Sequence, residues 1–376
     1  MKYKITIILS LVLLFSCRSL VNTFDDIEKA LYFESSNLAD SEFHDSLKVM
    51  TWNIRFGGGR IAYFGDSCGD RSLMTEQETM GYLDKIINYI NNISQPDILL
   101  FQEIDLSSKR SAYLNQIQYI LDNTYFNFAA YASNWDVNFV PSDGIGKVNM
   151  GNAIFSRWKI KDAERIKLAL RTDQPAYVQY GYLRRNILKA KIDLPNYNDI
   201  YAVNIHATAF ATDDTKQKHL DQYKKVLDEI NDMGEDFITG GDLNSLPPNA
   251  NIIDFCEIDK CEDENLYYEI DLETGINRPN LEGCFFNSFE GEPDLLKPIY
   301  NTYYPAIDTS LVNQKEHLTH STWNNTYSSL ESESWDRKLD YLFTNYQNWT
   351  ITGDTDNSIL ETSDHAPVTA VLYFNQ

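Results

Sequence analysis

The sequence predicts an α/β fold, and three observations support it. Short apolar runs, each read as a buried strand, alternate with stretches whose apolar residues recur at helical spacing. Many of these runs end in Asp, Glu, Asn or His, and open α/β sheets place their ligand sites at the carboxyl ends of strands. With 376 residues, 43% of them hydrophobic, the chain has ample material for a core, and it shows no internal repeat or low-complexity tract. Phe237-Ile238-Thr239-Gly240-Gly241-Asp242-Leu243-Asn244 displays the pattern best. Two glycines let the backbone turn tightly, and alternation puts Asp242 and Asn244 on one side if the chain stays extended. The alternation fits a doubly wound sheet as well as a sandwich of sheets.

The N-terminus stands apart from this pattern. Lys2 and Lys4 precede an apolar run from Ile5 to Phe15, too short to span a bilayer and flanked like a secretory signal. Leu14-Phe15-Ser16-Cys17 resembles the bacterial lipobox, which implies export, lipidation of Cys17 and a membrane anchor; an ordinary signal peptide is the other reading. Residues 1–17 are thus the expected signal, 18–46 a polar tether with one short helix around Ile27–Phe33, and 47–376 the folded domain. Cys68, Cys256, Cys261 and Cys284 form an even set, which in an exported chain suggests two disulfides with three possible connectivities. Cys256 with Cys261 is the favoured pair because it closes a small loop.

Within the domain, Leu47 to Trp52 forms a first strand ending in Asn53, followed by a loop with Gly57-Gly58-Gly59. Met80, Leu83, Ile86, Ile87 and Ile90 mark an amphipathic helix that stops before Pro96. Ile98–Phe101 is a buried strand ending in Gln102-Glu103, and a second helix covers roughly Ala112–Leu121. After short aromatic strands come Gly151–Ser156, then a strand over Asn186–Ile192 opened by Arg184-Arg185. Ile200–Ile205 is a strand ending at His206, and Leu220, Tyr223, Val226, Leu227 and Ile230 give another helix. Residues 246–334 are loop-rich and aromatic, a functional or disulfide-held insert. Leu339–Phe343 carries Asp340, and Ala366–Phe374 is the last strand, entered from Ser363-Asp364-His365.

Lys+Arg total 32 against 55 Asp+Glu, a formal net charge of -23. Such a surface does not attract polyanions at long range, so a phosphate substrate must be caught locally by a metal or a few arginines. The strand ends supply Asn53, Glu103, His206, Asp242, Asn244, Asp340, Asp364 and His365. Their carboxylate and amide oxygens suit Mg²⁺ or Mn²⁺, whereas paired-cysteine zinc spacing, a P-loop and a G-x-S-x-G elbow are all missing from the sequence.

Seven segments in order resemble the motifs of the endonuclease/exonuclease/phosphatase superfamily. They are Thr51-Trp52-Asn53, Gln102-Glu103, Gly151 through Arg157, Asn204-Ile205-His206, Gly241-Asp242-Leu243-Asn244, Leu339-Asp340-Tyr341 and Ser363-Asp364-His365. The match runs from about Leu47 to the C-terminus. It implies a four-layer α/β sandwich, two packed mixed β-sheets flanked by helices, and Mg²⁺-dependent hydrolysis of a phosphoester. By resemblance, Glu103 is the principal metal ligand, with Asn53 and Asp364 beside it. His365 would act as general base or transition-state stabiliser, oriented by Asp340. Asp242 would position the attacking water or protonate the leaving oxygen, Asn244 would bind phosphate, and His206 would donate to a non-bridging oxygen. Asn152 joins the substrate-binding set. Arg185 is either a phosphate contact or a solvated surface residue. One metal or two, and which phosphoester, stay open; no protein partner is implied. An extracellular nuclease and a non-enzymatic surface-binding protein are the other functional readings.

Overall fold

The computed structural model describes residues 19–43, 45–65, 69–209, 211–251, 268–270, 277–279, 291–322, 335–347, 349 and 352–374. Cys17, the other four cysteines and about half of the aromatic insert lie outside the described residues. No described helix is long and apolar enough to cross a membrane.

Two seven-stranded mixed sheets pack face to face. The first holds β2 (Leu31–Glu34), β3 (Ser46–Asn53), β4 (Ile98–Asp105), β5 (Phe128–Val140), β6 (Gly146–Ser156), β15 (Asp354–Thr355) and β16 (Val368–Tyr373), in the order β15-β16-β3-β4-β6-β5-β2. The second holds β1 (Ile27–Lys29), β7 (Ile160–Lys167), β8 (Asn186–Ile192), β9 (Ile200–His206), β10 (Phe237–Asp242), β13 (Tyr304–Pro305) and β14 (Asp340–Thr344), in the order β1-β7-β8-β9-β10-β14-β13. A separate two-stranded ribbon joins β11 (Tyr268–Ile270) to β12 (Asn277–Pro279).

Strand alternation distributes the side chains. Val49, Ile98, Leu100, Ile154, Leu188, Ala202, Ile238 and Leu342 meet between the sheets. Their neighbours Met50, Trp52, Leu99 and Phe101 face outward onto α1 (Glu76–Tyr89) and α2 (Gln116–Asn123). On the other side Val203, Ile205, Phe237, Tyr341 and Phe343 face α4 (Thr215–Asp232) and α5 (Glu292–Tyr300). Helices therefore cover both outer faces, which makes the four layers that the motif resemblance implied. Runs such as Ile98–Phe101, buried on both faces, are apolar throughout for that reason.

Local chemistry sets the helix ends. Glu78 N donates to Thr75 Oγ1 at 3.2 Å and Thr75 N to Glu78 Oε2 at 2.9 Å, a reciprocal cap that starts α1. Its last turn widens over Ile90–Ser94 and closes on Gln95 in the left-handed region, ahead of Pro96. A third helix, α3 (Ala176–Gly181), and β7 carry no clear sequence period.

Residues 18–46, expected as a tether with one short helix, are built largely into the sandwich. β1 pairs with β7 in the second sheet and β2 with β5 in the first, and Ala30 between them is buried. Val21 bridges to Val137, and the Phe24 ring sits 3.9 Å from the buried Arg165 guanidinium. The physical reason is that open edges of both sheets offer unpaired backbone groups, which an extended polar segment satisfies. Within the insert Tyr303 is buried and Tyr300 packs on Phe343 at 5.0 Å, and Trp335 just after it is buried as well, so these aromatics fasten the segment to the domain.

Candidate active site

The site is the place where inward-facing positions turn from apolar to polar. Along β9 they read Ala202, Asn204, His206; along β10, Ile238, Gly240, Asp242; along β14, Leu342 and Asp340. Register puts His206 opposite Asp242 and Asp242 opposite Asp340, so all three share one rung of three adjacent strands. Gly241 holds the middle strand in place: its φ is +145°, and a Cβ there would lie 1.8 Å from Ile205 O.

The first sheet contributes Asn53 opposite Gln102. Strict alternation would send Glu103 to the helical side. The β4–β6 register shifts between Phe101 and Ile104, and Glu103 takes φ 56°, so Gln102 and Glu103 both face the cleft. Asn53 Nδ2 then donates to Glu103 Oε1 at 3.2 Å and to Asp242 Oδ2 at 3.1 Å, linking the two sheets. His206 Nε2 lies 3.2 Å from Asp242 Oδ2 and 3.9 Å from Glu103 Oε1. His365 enters from the loop before β16; its Nδ1 is 2.8 Å from Asp340 Oδ2 and its Nε2 3.8 Å from Asp242 Oδ2. Trp52 Nε1 donates to His365 O, and Ser363 Oγ donates to Asn53 O, which fixes that loop against β3.

Charge states follow from these contacts. Burial alone would lower His365, but Asp340 and then Asp242 push it up to about 10, so it is an imidazolium at neutral pH. Burial raises the Asp340 carboxyl as well; the pair shares one proton, which sits on the ring because a second carboxylate faces it. Burial would raise Asp242 too, yet His365 and His206 hold it far below the usual carboxylate range. An anion and a cation are thus fixed side by side, both almost fully buried.

Beneath the cleft lies an amide network that the motif reading assigned no role. Asn204 Nδ2 donates to Phe101 O at 2.8 Å and Ala153 O at 2.9 Å, both on the other sheet. Gln102 Nε2 donates back to Asn204 Oδ1 at 2.7 Å. For Asn204 the sequence signal was a polar residue at an inward strand position between apolar Val203 and Ile205, whereas Gln102 is followed by Glu103 and had no such signal.

The remaining expected residues are spread around this centre. Asn244 has φ 47°, gives its N–H to Asp242 Oδ1 at 3.0 Å and its side-chain amide to Ala207 O. Asn152 is buried among amides, donating to Asn186 O and accepting from Asn134 Nδ2. Arg185 is buried rather than solvated; one guanidinium nitrogen reaches His206 O at 3.3 Å, and burial lowers its pKa. Asp364 is turned to Arg55 Nε at 3.2 Å. Burial would raise its carboxyl, and the Arg55 guanidinium foremost brings it below the ordinary value. His219 on α4 is buried: Thr208 N donates to its Nδ1 and its Nε2 meets Ala169 O at 2.7 Å, with burial lowering it to about 4. His320 packs edge-on against His365 with ring centroids 5.0 Å apart.

Glu103 fits a hard divalent cation. Its side chain is a quarter exposed, Oε1 accepts one hydrogen bond from Asn53, and no described residue donates to Oε2. Oxygen donors at a solvent-reached position suit ions that keep several waters.

Comparison with known proteins agrees with this geometry. A family model described as the endonuclease/exonuclease/phosphatase family matches residues 50–365. No curated protein matches the chain. Among solved structures, an endonuclease/exonuclease/phosphatase from Beutenbergia cavernae DSM 12333 aligns with TM-score 0.50 and 18% identity, covering 87% of this chain and 71% of that one, and shares the fold. A family protein from Leptotrichia buccalis C-1013-b aligns with TM-score 0.48 and 14% identity over 86% of this chain and 98% of that one. An AP endonuclease from Archaeoglobus fulgidus aligns with TM-score 0.44 and 13% identity over the same shares.

Proposed function

The chain belongs to the endonuclease/exonuclease/phosphatase family of metal-dependent phosphoric ester hydrolases, and from that premise we propose that it cleaves a small phosphodiester or phospholipid head group. The observation carrying the reading is the single rung of His206, Asp242 and Asp340, faced by Glu103 and Asn53 and closed by His365.

Glu103 and Asn53 would hold the ion, Mg²⁺ by preference and Mn²⁺ as substitute, which would supply polarisation of the phosphoryl group and stabilisation of the departing oxygen. Asp242, kept anionic by two histidines, orients the attacking water and takes up its proton. His206, whose Nε2 stands 3.2 Å from Asp242 Oδ2, would donate to a non-bridging oxygen, where charge builds in the transition state. The His365 imidazolium, held by Asp340, supplies fixed positive charge and a proton for the leaving oxygen; it starts protonated and so is not the base. Asn244 and Arg185 support the phosphate side from the loop after β10 and the start of β8.

Two arguments support the substrate class. A net charge of -23 without a basic run disfavours long duplex DNA, whose binding rests on phosphate contacts. The signal-like N-terminus with Cys17 supports export and a lipid anchor in a bacterial cell envelope, which brings the domain near phospholipid. Purified full-length protein should hydrolyse bis-p-nitrophenyl phosphate and, in a panel of phospholipid, soluble phosphodiester and plasmid, prefer one of the first two. Efficient plasmid cleavage with no turnover of the others would make it an extracellular nuclease. Cys17→Ser should leave an unprocessed or mislocalised precursor; a wild type recovered soluble and unlipidated refutes the anchor.

A further inference from the structure

His320 is absorbed by none of the roles above, yet the fold places it with care. The segment Thr319–Ser321 is extended and bonded on both sides. Ala366 N donates to Thr319 O at 2.7 Å and Ser321 N to Asp364 O at 2.8 Å, while His320 N donates to Arg337 O and Asp336 N to His320 O, each at 2.9 Å. Three short segments are thereby locked together, and one ligand atom each from His320, Asp364 and His365 lies within 4.8 Å of the other two.

Each of these side chains has its own buried partner. His320 Nδ1 lies 3.5 Å from Asp336 Oδ1, with the Asp336 side chain 5% exposed. His365 Nδ1 lies 2.8 Å from Asp340 Oδ2, whose side chain is fully buried. Asp364 Oδ2 lies 3.2 Å from Arg55 Nε, and Arg55 is 5% exposed. His365 is oriented through Nδ1 by its hydrogen bond to Asp340, His320 Nδ1 faces Asp336 without a hydrogen bond, and the second Asp364 oxygen accepts from Ser363 Oγ at 3.2 Å. Outer partners of this kind set tautomer and direction in metal-ligating histidines and carboxylates. His320 and Asp364, 18% and 21% exposed, also give solvent a path to the cluster.

We propose that His320, His365 and Asp364 form a second cation site, for a divalent transition ion such as Zn²⁺ or Co²⁺ rather than Mg²⁺. Two imidazoles and one carboxylate with open positions match the preferences of those ions. Binding would release one proton of the His365 imidazolium to solvent and so take the ring out of its hydrolytic role, which means that the ion opposes turnover. The site itself stands independently of the hydrolytic reading.

The test reads binding alone. Metal-stripped full-length protein is titrated calorimetrically with Zn²⁺ in the presence of saturating Mg²⁺. One Zn²⁺ per chain should bind in a way that His320→Gln weakens by about 100-fold or more, as expected for losing a ligand. Asp336→Asn, which spares all three ligands, should weaken it by roughly 10- to 100-fold. Glu103→Gln should leave Zn²⁺ binding unchanged while removing Mn²⁺ binding. Circular dichroism confirms that each variant is folded; if His320→Gln is not, Asp336→Asn decides. Zn²⁺ affinity unaltered by either substitution, including Zn²⁺ held only by cysteines elsewhere, would overturn the site.

Discussion

Replacing Asn204 by alanine tests whether the two sheets are held together by a specific amide beneath the site. The substitution strips hydrogen bonds from Phe101 O, Ala153 O and Gln102 Nε2, all in a fully buried layer. Gln102 Nε2 keeps Thr51 Oγ1 at 3.1 Å and Leu100 O at 3.0 Å, so its loss is the mildest of the three. The two orphaned carbonyls cost about 1–3 kcal/mol each, which sums to roughly 2–6 kcal/mol. Urea denaturation followed by tryptophan fluorescence should show the midpoint falling with an unchanged m-value. A double-mutant cycle with Gln102→Leu should be non-additive, because each amide serves the other. A loss below about 1 kcal/mol, or strict additivity, would refute a clamp and leave the layer as ordinary packing.

Lys338 is buried with burial lowering it to about 7 from 10.5, so the unfolded state binds more protons and stability should rise with pH between those values. Lys338→Met should therefore be more stable than wild type at pH 6, by an amount that shrinks at about 1.4 kcal/mol per unit once the pH passes 7; an advantage constant from pH 6 to 10 refutes a depressed lysine. Asp242→Asn and His365→Ala should each lower kcat by roughly 10²–10⁴ with folding intact, and a variant of near-normal kcat removes that residue from the mechanism. Deleting residues 19–35 removes β1 and β2 from both sheets, so thermal denaturation should shift down by several degrees, whereas a mere tether could be cut without effect.

Much of this centre was readable because strand parity is readable. A run such as Asn204-Ile205-His206 declares by alternation that Asn204 and His206 share a face, and the structure puts that face between the sheets. Glu103 was readable as a strand-end carboxylate but not as cleft-facing, because the β-bulge that turns it inward depends on pairing with β6. β1 and β2 were not readable: Ile27 and Leu31 are exposed, and these short strands exist only because two open edges receive them. His219 had a signal that polarity concealed, since it stands four residues before Tyr223 on the buried stripe of α4. His320 had none, because its place depends on backbone bridges to segments far away in sequence.

Divalent-metal dependence of phosphoester hydrolysis through Glu103 is tested most directly by a chelation and add-back series on bis-p-nitrophenyl phosphate, run for wild type and Glu103→Gln. Wild-type turnover should vanish on exhaustive chelation and return with Mg²⁺ or Mn²⁺, while folded Glu103→Gln should stay inactive in both. Full activity after chelation, or restoration of Glu103→Gln to wild-type turnover by Mg²⁺ at the same concentration, would contradict the account.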